Sequence, residues 1–178
     1  MSDASTARQR RPLRLRGYDY ALPGMYFVTL CVQGRRCLFG DVVNGTMEAN
    51  DAGRMVRSTW DELPSAYPDV MTDASQVMPN HVHGVLVLGH RLHGDQSLSL
   101  GDVVRRFKML TTTRYIDGVS RFGWTRFSGR LWQRDYYDHI IRGDRVLESV
   151  RRYIAENPAK WARDPENPVV RPRDHDHV

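Results

Sequence analysis

The sequence predicts an α+β sandwich, with helices packed against an antiparallel sheet, on three observations. Two runs of β-branched and aromatic residues, YFVTLCV from Tyr26 and HVHGVLVL from His81, have the character of buried strands. An Asn44-Gly45 pair between short apolar segments marks a hairpin. Segments whose apolar residues recur at helical spacing alternate with these, giving the order β, hairpin, α, β, β, α, β, α with no internal repeat.

Residues 1–17 form a basic arm ending in RPLRLRG, its arginines too closely spaced to share one solvated helix face. Gly24 and Gly34 bracket the first strand, Tyr26 to Val32, and the hairpin occupies Cys37 to Asn50. Asp51 is the expected cap of a helix through Met55, Val56, Trp60 and Leu63, which Pro64 closes and whose Met55/Trp60 side faces the sheet. Val70 to Met78 is a second strand, Pro79-Asn80 a turn, and His81 to Leu88 a third strand antiparallel to the second. After a polar loop at 89–98, Ser99 or Asp102 starts a helix through Val103, Val104, Phe107, Met109 and Leu110 toward Ile116. Residues 118–129 are expected as loop and 131–142 as strand, and Asp144 is the expected cap of a last helix ending near Asn157, before Pro158. The organisation expected is an arm at 1–17, a single domain at 18–163 and a flexible tail at 164–178.

A chain of 178 residues suits one domain with a real core rather than two. Hydrophobic residues at 40% and charged residues at 26% exclude a disordered chain. The net charge is +5, and since Lys108 and Lys160 are the only lysines, nearly all 26 basic residues are arginines. The planar guanidinium matches phosphate oxygens, so a polyanionic partner is expected, although a GC-rich genome would enrich arginine too. Cys31 and Cys37 are too few for a disulfide framework or a cysteine zinc site and are expected as reduced thiols. Nothing resembles a signal peptide, and no apolar run approaches the roughly 18 residues of a membrane span, so a cytoplasmic protein without membrane contact is expected.

His81 and His83 lie two apart on a strand, so both imidazoles project from one face, where they can share a divalent ion or form an ordinary polar pair. In the last helix, Tyr153 and Asn157 are four apart and stack in line with Val146 and Val150. Opposite a His-x-His strand, that pair offers a phenolic nucleophile and a side-chain carbonyl for the metal, which is what phosphodiester cleavage requires. Tyr136, Tyr137 and Tyr115 compete for the nucleophilic role, and the residues alone leave the choice open. A second pair, His175 and His177, lies in the tail without a rigid element beneath it.

Four segments in this order, GYDY from Gly17 with the YFVTL strand, MPNHVH from Met78, WQRDYYDHIIR from Trp132 and YIAENP from Tyr153, resemble the single-tyrosine HUH transposases. The likeness is to the REP-associated tyrosine transposase (IS200-like) group and spans most of residues 12–168. It implies a ferredoxin-like α+β HUH endonuclease core, metal binding by His81 and His83 with Asn157 completing the shell, and Tyr153 as the nucleophile. The Asn157 position holds Gln in related insertion-sequence transposases, and Asn is the shorter side chain. The resemblance further implies Mg²⁺ or Mn²⁺ as cofactor and single-stranded or hairpin DNA as partner, cut and rejoined through a 5′-phosphotyrosine by a monomer or homodimer.

Arg11, Arg14 and Arg16 on the arm and Arg105, Arg106 and Lys108 on the helix face are the candidate DNA contacts, with Tyr18, Tyr20 and Trp132 as candidate stacking platforms. Two other functions compete with the nuclease: a domesticated protein that grips hairpin DNA or RNA without cleavage, and a hydrolase of small phosphoesters. The second leaves the arginine-rich arm unexplained.

Overall fold

The computed structural model describes residues 19–89 and 98–170. Its centre is a four-stranded antiparallel sheet in the order β4-β5-β1-β6, formed by β1 (Gly24–Cys31), β4 (Val70–Met78), β5 (His81–Leu88) and β6 (Tyr137–Ile141). A separate hairpin pairs β2 (Gly40–Val43) with β3 (Thr46–Ala49). Asn44 and Gly45 at its tip both have positive φ, 50° and 76°, as the tight turn between right-twisted strands demands. The helices are α1 (Asp51–Asp61), the single-turn α2 (Leu63–Ala66), α3 (Leu100–Phe122) and α4 (Asp144–Glu156), after which a 3-10 segment runs Pro158–Arg163.

The central strands β1 and β5 are buried on both faces, which is why they read as nearly continuous apolar runs. On one face Tyr26, Val28, Leu30, Val82 and Leu86 pack with Trp60 of α1 and Val103 and Phe107 of α3 in the main core. Gly84 is what lets Trp60 lie on β5, because a Cβ there would come within 2.2 Å of the indole ring. On the other face Phe27, Val85 and Ile141 meet Ile154 of α4, with Val146, Leu147 and Val150 around them. His81 and His83 alternate with Val82 and Gly84 and therefore face α4.

Several boundaries differ from the sequence expectation. The cap of α1 is Asn50, whose side chain accepts from the Gly53 amide, and Asp51 is the first helical residue, placed where its charge suits the helix N-terminus. Likewise Gly143 precedes α4 and Asp144 lies in its first turn. Ser99 does cap α3, in a reciprocal box with Asp102. That helix runs on through Gly118 to Phe122, because Gly118 leaves room for the Trp124 ring, and it stops at Gly123, whose φ is +68°. Residues 131–136, expected as strand, make only an isolated Val32–Trp132 bridge. Leu131 and Trp132 are drawn into the main core, where the indole N–H donates to Thr111 Oγ1 at 2.9 Å.

The expected tail is folded as far as it is described. Turns carry the chain from Trp161 to Val170, and Asp164 and Asn167 are buried. An Arg35–Glu166 ion pair at 2.9 Å and an Asn80 Nδ2 donation to the Glu166 carbonyl at 2.8 Å fasten the segment to the sheet.

Candidate active site

His81 and His83 are almost fully buried, and their Nε2 atoms are 3.0 Å apart. Their outer nitrogens are both engaged. His81 Nδ1 lies 2.9 Å from Asn80 Oδ1, and His83 Nδ1 lies 2.9 Å from Thr29 Oγ1. The Asn80 amide group is oriented by its NH₂, which donates to the carbonyls of Arg35 and Glu166, so its oxygen must accept from His81 Nδ1–H. His81 Nε2 is left with a lone pair directed at His83. Burial, then the neighbouring His83, holds His81 well below the usual imidazole range, and burial lowers His83 to about 4. Both rings are thus neutral at pH 7, the state in which imidazole binds a metal.

Asp164 completes the cluster. Its Oδ2 is 3.7 Å from His81 Nε2, and ligand atoms of His81, His83 and Asp164 all lie within 4.8 Å of one another. Asp164 Oδ1 accepts from the Glu166 amide at 2.7 Å, whereas Asp164 Oδ2 and Asn157 Oδ1 are buried with no hydrogen-bond partner. An orphaned buried carboxylate oxygen is costly unless a cation meets it. Two neutral imidazole nitrogens, that oxygen and an amide oxygen fit a divalent ion of the borderline, Mn²⁺-like kind. Burial pushes the Asp164 carboxyl above its ordinary range, against the pull of the Glu166 backbone amide; the Glu166 charge adds to the rise, and the Asn157 side chain and Arg35 oppose it.

Tyr153 packs on this cluster from α4. Its ring centroid lies 5.3 Å from that of His83 and 5.8 Å, edge to face, from that of Phe27, and the residue is 43% exposed. Burial and then the Asp164 charge raise its phenol above the ordinary range, with the Asn157 side chain opposing them. It borders a groove of about 620 Å³ that Phe27, Thr29, His83, Tyr137 and Glu166 also line.

The other tyrosines are placed differently. Tyr137 is half exposed on the same groove but contacts Phe27 rather than a histidine, at 6.2 Å. Tyr136 has the Lys108 ammonium 5.4 Å from its ring centre. Tyr115 is buried in the main core across the sheet, its hydroxyl donating to the Thr125 carbonyl at 2.8 Å.

Of the candidate DNA contacts among the described residues, Arg105, Arg106 and Lys108 are not among those lining the groove. Arg11, Arg14, Arg16 and Tyr18, like His175 and His177, lie outside the described residues. Arg105 is paired with Asp102 at 2.7 Å, and Arg106 stacks over Tyr67 at 4.8 Å. Lys108 is half-buried, its Nζ 2.8 to 3.3 Å from the carbonyls of Gln133, Arg134 and Asp135, and burial lowers it to about 8. That ammonium staples the irregular segment leading into β6, so its donors go to backbone rather than phosphate. Trp132 is core, and Tyr20 packs beside Tyr26 on the main-core side. Asp164 and Thr29 escaped the sequence reading: Asp164 follows a proline-ended helix in charged, irregular sequence, and Thr29 reads as an ordinary strand threonine. Asn80 was legible only as a turn residue. No helix among the described residues is long and apolar enough to cross a membrane.

No family model matches the chain. It is 34% identical over 174 residues to an uncharacterized protein of Haemophilus influenzae, spanning 87% of this chain and 91% of that one. It is 26% identical over 146 residues to another Haemophilus influenzae protein, named "Putative REP-associated tyrosine transposase", across 80% of this chain and 74% of that one. Among solved structures, a REP-associated tyrosine transposase bound to a REP hairpin superposes with a TM-score of 0.57 at 22% identity, covering 83% of this chain and 73% of that one. A Deinococcus radiodurans protein described as a "putative transposase" gives 0.50 at 16% identity, over 80% and 95%.

The antiparallel sheet with helices on both faces is the fold shared with the REP-associated tyrosine transposase structure, and in this chain it bears a buried His-His-Asp cluster beside a groove tyrosine. In sequence, too, the chain is similar to a protein of the REP-associated tyrosine transposase group, at the 26% identity given above.

Proposed function

We propose that this chain cuts and rejoins single-stranded, hairpin-bearing DNA through a covalent 5′-phosphotyrosine on Tyr153. His81, His83 and Asp164 would hold the divalent ion, with the Asn157 oxygen beside them. One observation carries the reading: a buried set of nitrogen and oxygen donors, two of the oxygens unpartnered, shares a groove with a tyrosine packed on one of the histidines. The hairpin bound by the structural relative supports DNA of this kind as the substrate.

Bound Mg²⁺ or Mn²⁺ would supply positive charge for a nonbridging phosphate oxygen. The chain's own residues do the rest. Phe27 and His83 fix the Tyr153 ring at the groove. The Asn157 amide opposes the effect of burial on that phenol, favouring its ionised form. Tyr153 Oη attacks phosphorus and gives its proton to groove water. The bond from phosphorus to the 3′ oxygen breaks, and that oxygen takes up a proton to become a free 3′ hydroxyl. The 5′ phosphate remains on Tyr153, and a second 3′ hydroxyl reverses the exchange, so the number of phosphoester bonds is conserved and no nucleotide cofactor is required.

The test is incubation of the full chain with labelled single-stranded hairpin DNA from around its own gene, in Mg²⁺, Mn²⁺ or EDTA, beside Tyr153→Phe and His81→Ala. The expected result is a metal-dependent covalent adduct absent from both variants. An adduct that survives Tyr153→Phe would transfer the nucleophile to Tyr136 or Tyr137. Tight binding with no adduct under any metal would establish a hairpin-binding protein without cleavage.

A further inference from the structure

The described arginines of α1 and α3 are engaged within the protein. On α1 and α3, Arg57, Arg105, Arg114 and Arg121 each hold a carboxylate at 2.7 to 3.4 Å, Arg54 pairs with Asp51, and Arg106 lies on Tyr67. Those charges are already answered within the protein. Arg36, Arg126, Arg130 and Arg134 are also exposed and, like Arg142, Arg145, Arg152 and Arg163, have no ion pair among the described residues; what sets the four apart is their place on adjoining segments beside the groove.

These four belong to two segments bound side by side. Gln33 N donates to the Leu131 carbonyl at 2.9 Å and Gln133 N to the Cys31 carbonyl at 2.8 Å. Farther along, Arg36 Nη1 donates to the Arg126 carbonyl at 2.9 Å. The strip meets the groove directly: Gln133 and Asp135, which flank Arg134, line it, as does Cys31. It is also held rigid from beneath by the Lys108 ammonium on the carbonyls of residues 133–135. Exposed guanidinium groups without carboxylate partners, carried on two segments tied together beside the groove, are a surface for phosphate oxygens.

We infer that Arg36, Arg126, Arg130 and Arg134 form the track that grips the DNA backbone leading into the Tyr153 groove. This rests on the proposed action on DNA and deepens it by placing the backbone contacts on Arg36 and the strip from residue 126 to residue 134, not on α3. The track positions DNA without reading its sequence, because its ligands are phosphates.

The test is affinity of the full chain for a labelled single-stranded hairpin DNA in EDTA, at a series of salt concentrations, with Arg126→Ala/Arg130→Ala compared against Arg54→Ala/Arg57→Ala. Both pairs remove the same charge. Each lost phosphate contact lowers the slope of log affinity against log salt by ~0.7 to 0.9, so the first pair should lower it by about 1.5 and weaken binding roughly 30-fold at a tenth molar salt. The Arg54/Arg57 pair should leave slope and affinity within about twofold of the parent. Equal weakening by the two pairs, or an unchanged slope for the first, overturns the track. Unfolding midpoints within a degree or so of the parent confirm that the comparison is between folded proteins. Binding in EDTA is independent of cleavage, so failure of Tyr153 to form an adduct would sink the nucleophile and leave this measurement standing, and the converse also holds.

Discussion

Replacing Thr29 by Val tests the cluster through a residue that would not touch the ion itself. Thr29 Oγ1 sits 2.9 Å from His83 Nδ1 in a site where Thr29 is 8% exposed, so water cannot readily replace the hydroxyl. Because His81 Nδ1 must be the protonated nitrogen against Asn80, the close approach of the two Nε2 atoms requires His83 to donate from Nε2 when no cation intervenes. Its Nδ1 then accepts from Thr29. To offer Nε2 to a metal, His83 must carry its proton on Nδ1 instead, and the Thr29 hydroxyl must turn from donor to acceptor. A hydroxyl can serve both states, whereas Val, of nearly the same shape, serves neither. Loss of such an outer partner costs about 10- to 100-fold in metal affinity, or roughly 1.4 to 2.7 kcal/mol. The assay is calorimetric Mn²⁺ titration, together with the Mn²⁺ dependence of adduct formation on labelled DNA. Half-saturation should move up 10- to 100-fold while the rate at saturating Mn²⁺ changes little, and Thr29→Ser should behave as the parent. An unchanged half-saturation in Thr29→Val, or a loss in Thr29→Ser as large as that in Thr29→Val, would refute the reasoning.

Asp164→Asn keeps the shape but removes the charge from the orphaned buried oxygen. Mn²⁺ binding by calorimetry should fall by at least about 100-fold, while metal-free thermal stability should hold or rise, since an unpaired buried carboxylate is removed. Gly84→Ala drives a methyl group into the Trp60 indole and should lower stability by about 1 to 3 kcal/mol in urea unfolding; a neutral result would mean that the helix α1 is free to shift. The Asp73 carboxyl is lowered from 3.8 to about 2, first by its hydrogen bonds from Arg151. A depressed folded value makes the contribution fully present above pH 4 and lost as pH falls toward 2, so the melting-temperature gap between the parent and Asp73→Asn should narrow across that window. A gap constant from pH 6 to pH 2 would remove the pair from the stability account.

The strands and most of the helices were legible because their signals are local: β-branched runs for β1 and β5, an Asn-Gly turn for the hairpin, helical spacing for α1, α3 and α4. Residues 131–136 misled for the opposite reason. LWQRDY has strand-like composition, but Trp132 is claimed by Thr111 and the carbonyls of 133–135 by Lys108, contacts made across more than twenty residues. Gly118 misled in the same way, since a glycine that usually marks a helix end is here the seat of the Trp124 ring. The pairing of His81 with His83 follows from strand alternation alone. Asp164 does not, because its position depends on the 3-10 segment and on the Glu166–Arg35 pair, neither of which has a periodic signature.

The site is therefore assembled from two unlike halves. His81 and His83 stand on β5, whose opposite face is locked into the main core by Trp60 against Gly84, so their spacing is set by a tightly packed central strand. Tyr153, Asn157 and Asp164 arrive together on α4 and the turns that follow it, a segment with a much smaller core beneath it. What registers the second half on the first is a set of polar ties: Arg151 to Asp73 on β4, Arg35 to Glu166, and above all Asn80. Asn80 Oδ1 sets the proton on His81, while Asn80 Nδ2 holds the Arg35 and Glu166 carbonyls, the latter two residues from Asp164. A residue that the sequence marks only as a turn thus fixes both the tautomer of one donor and the position of another. Removing it would loosen the two halves together, even though Asn80 is no member of the donor cluster itself.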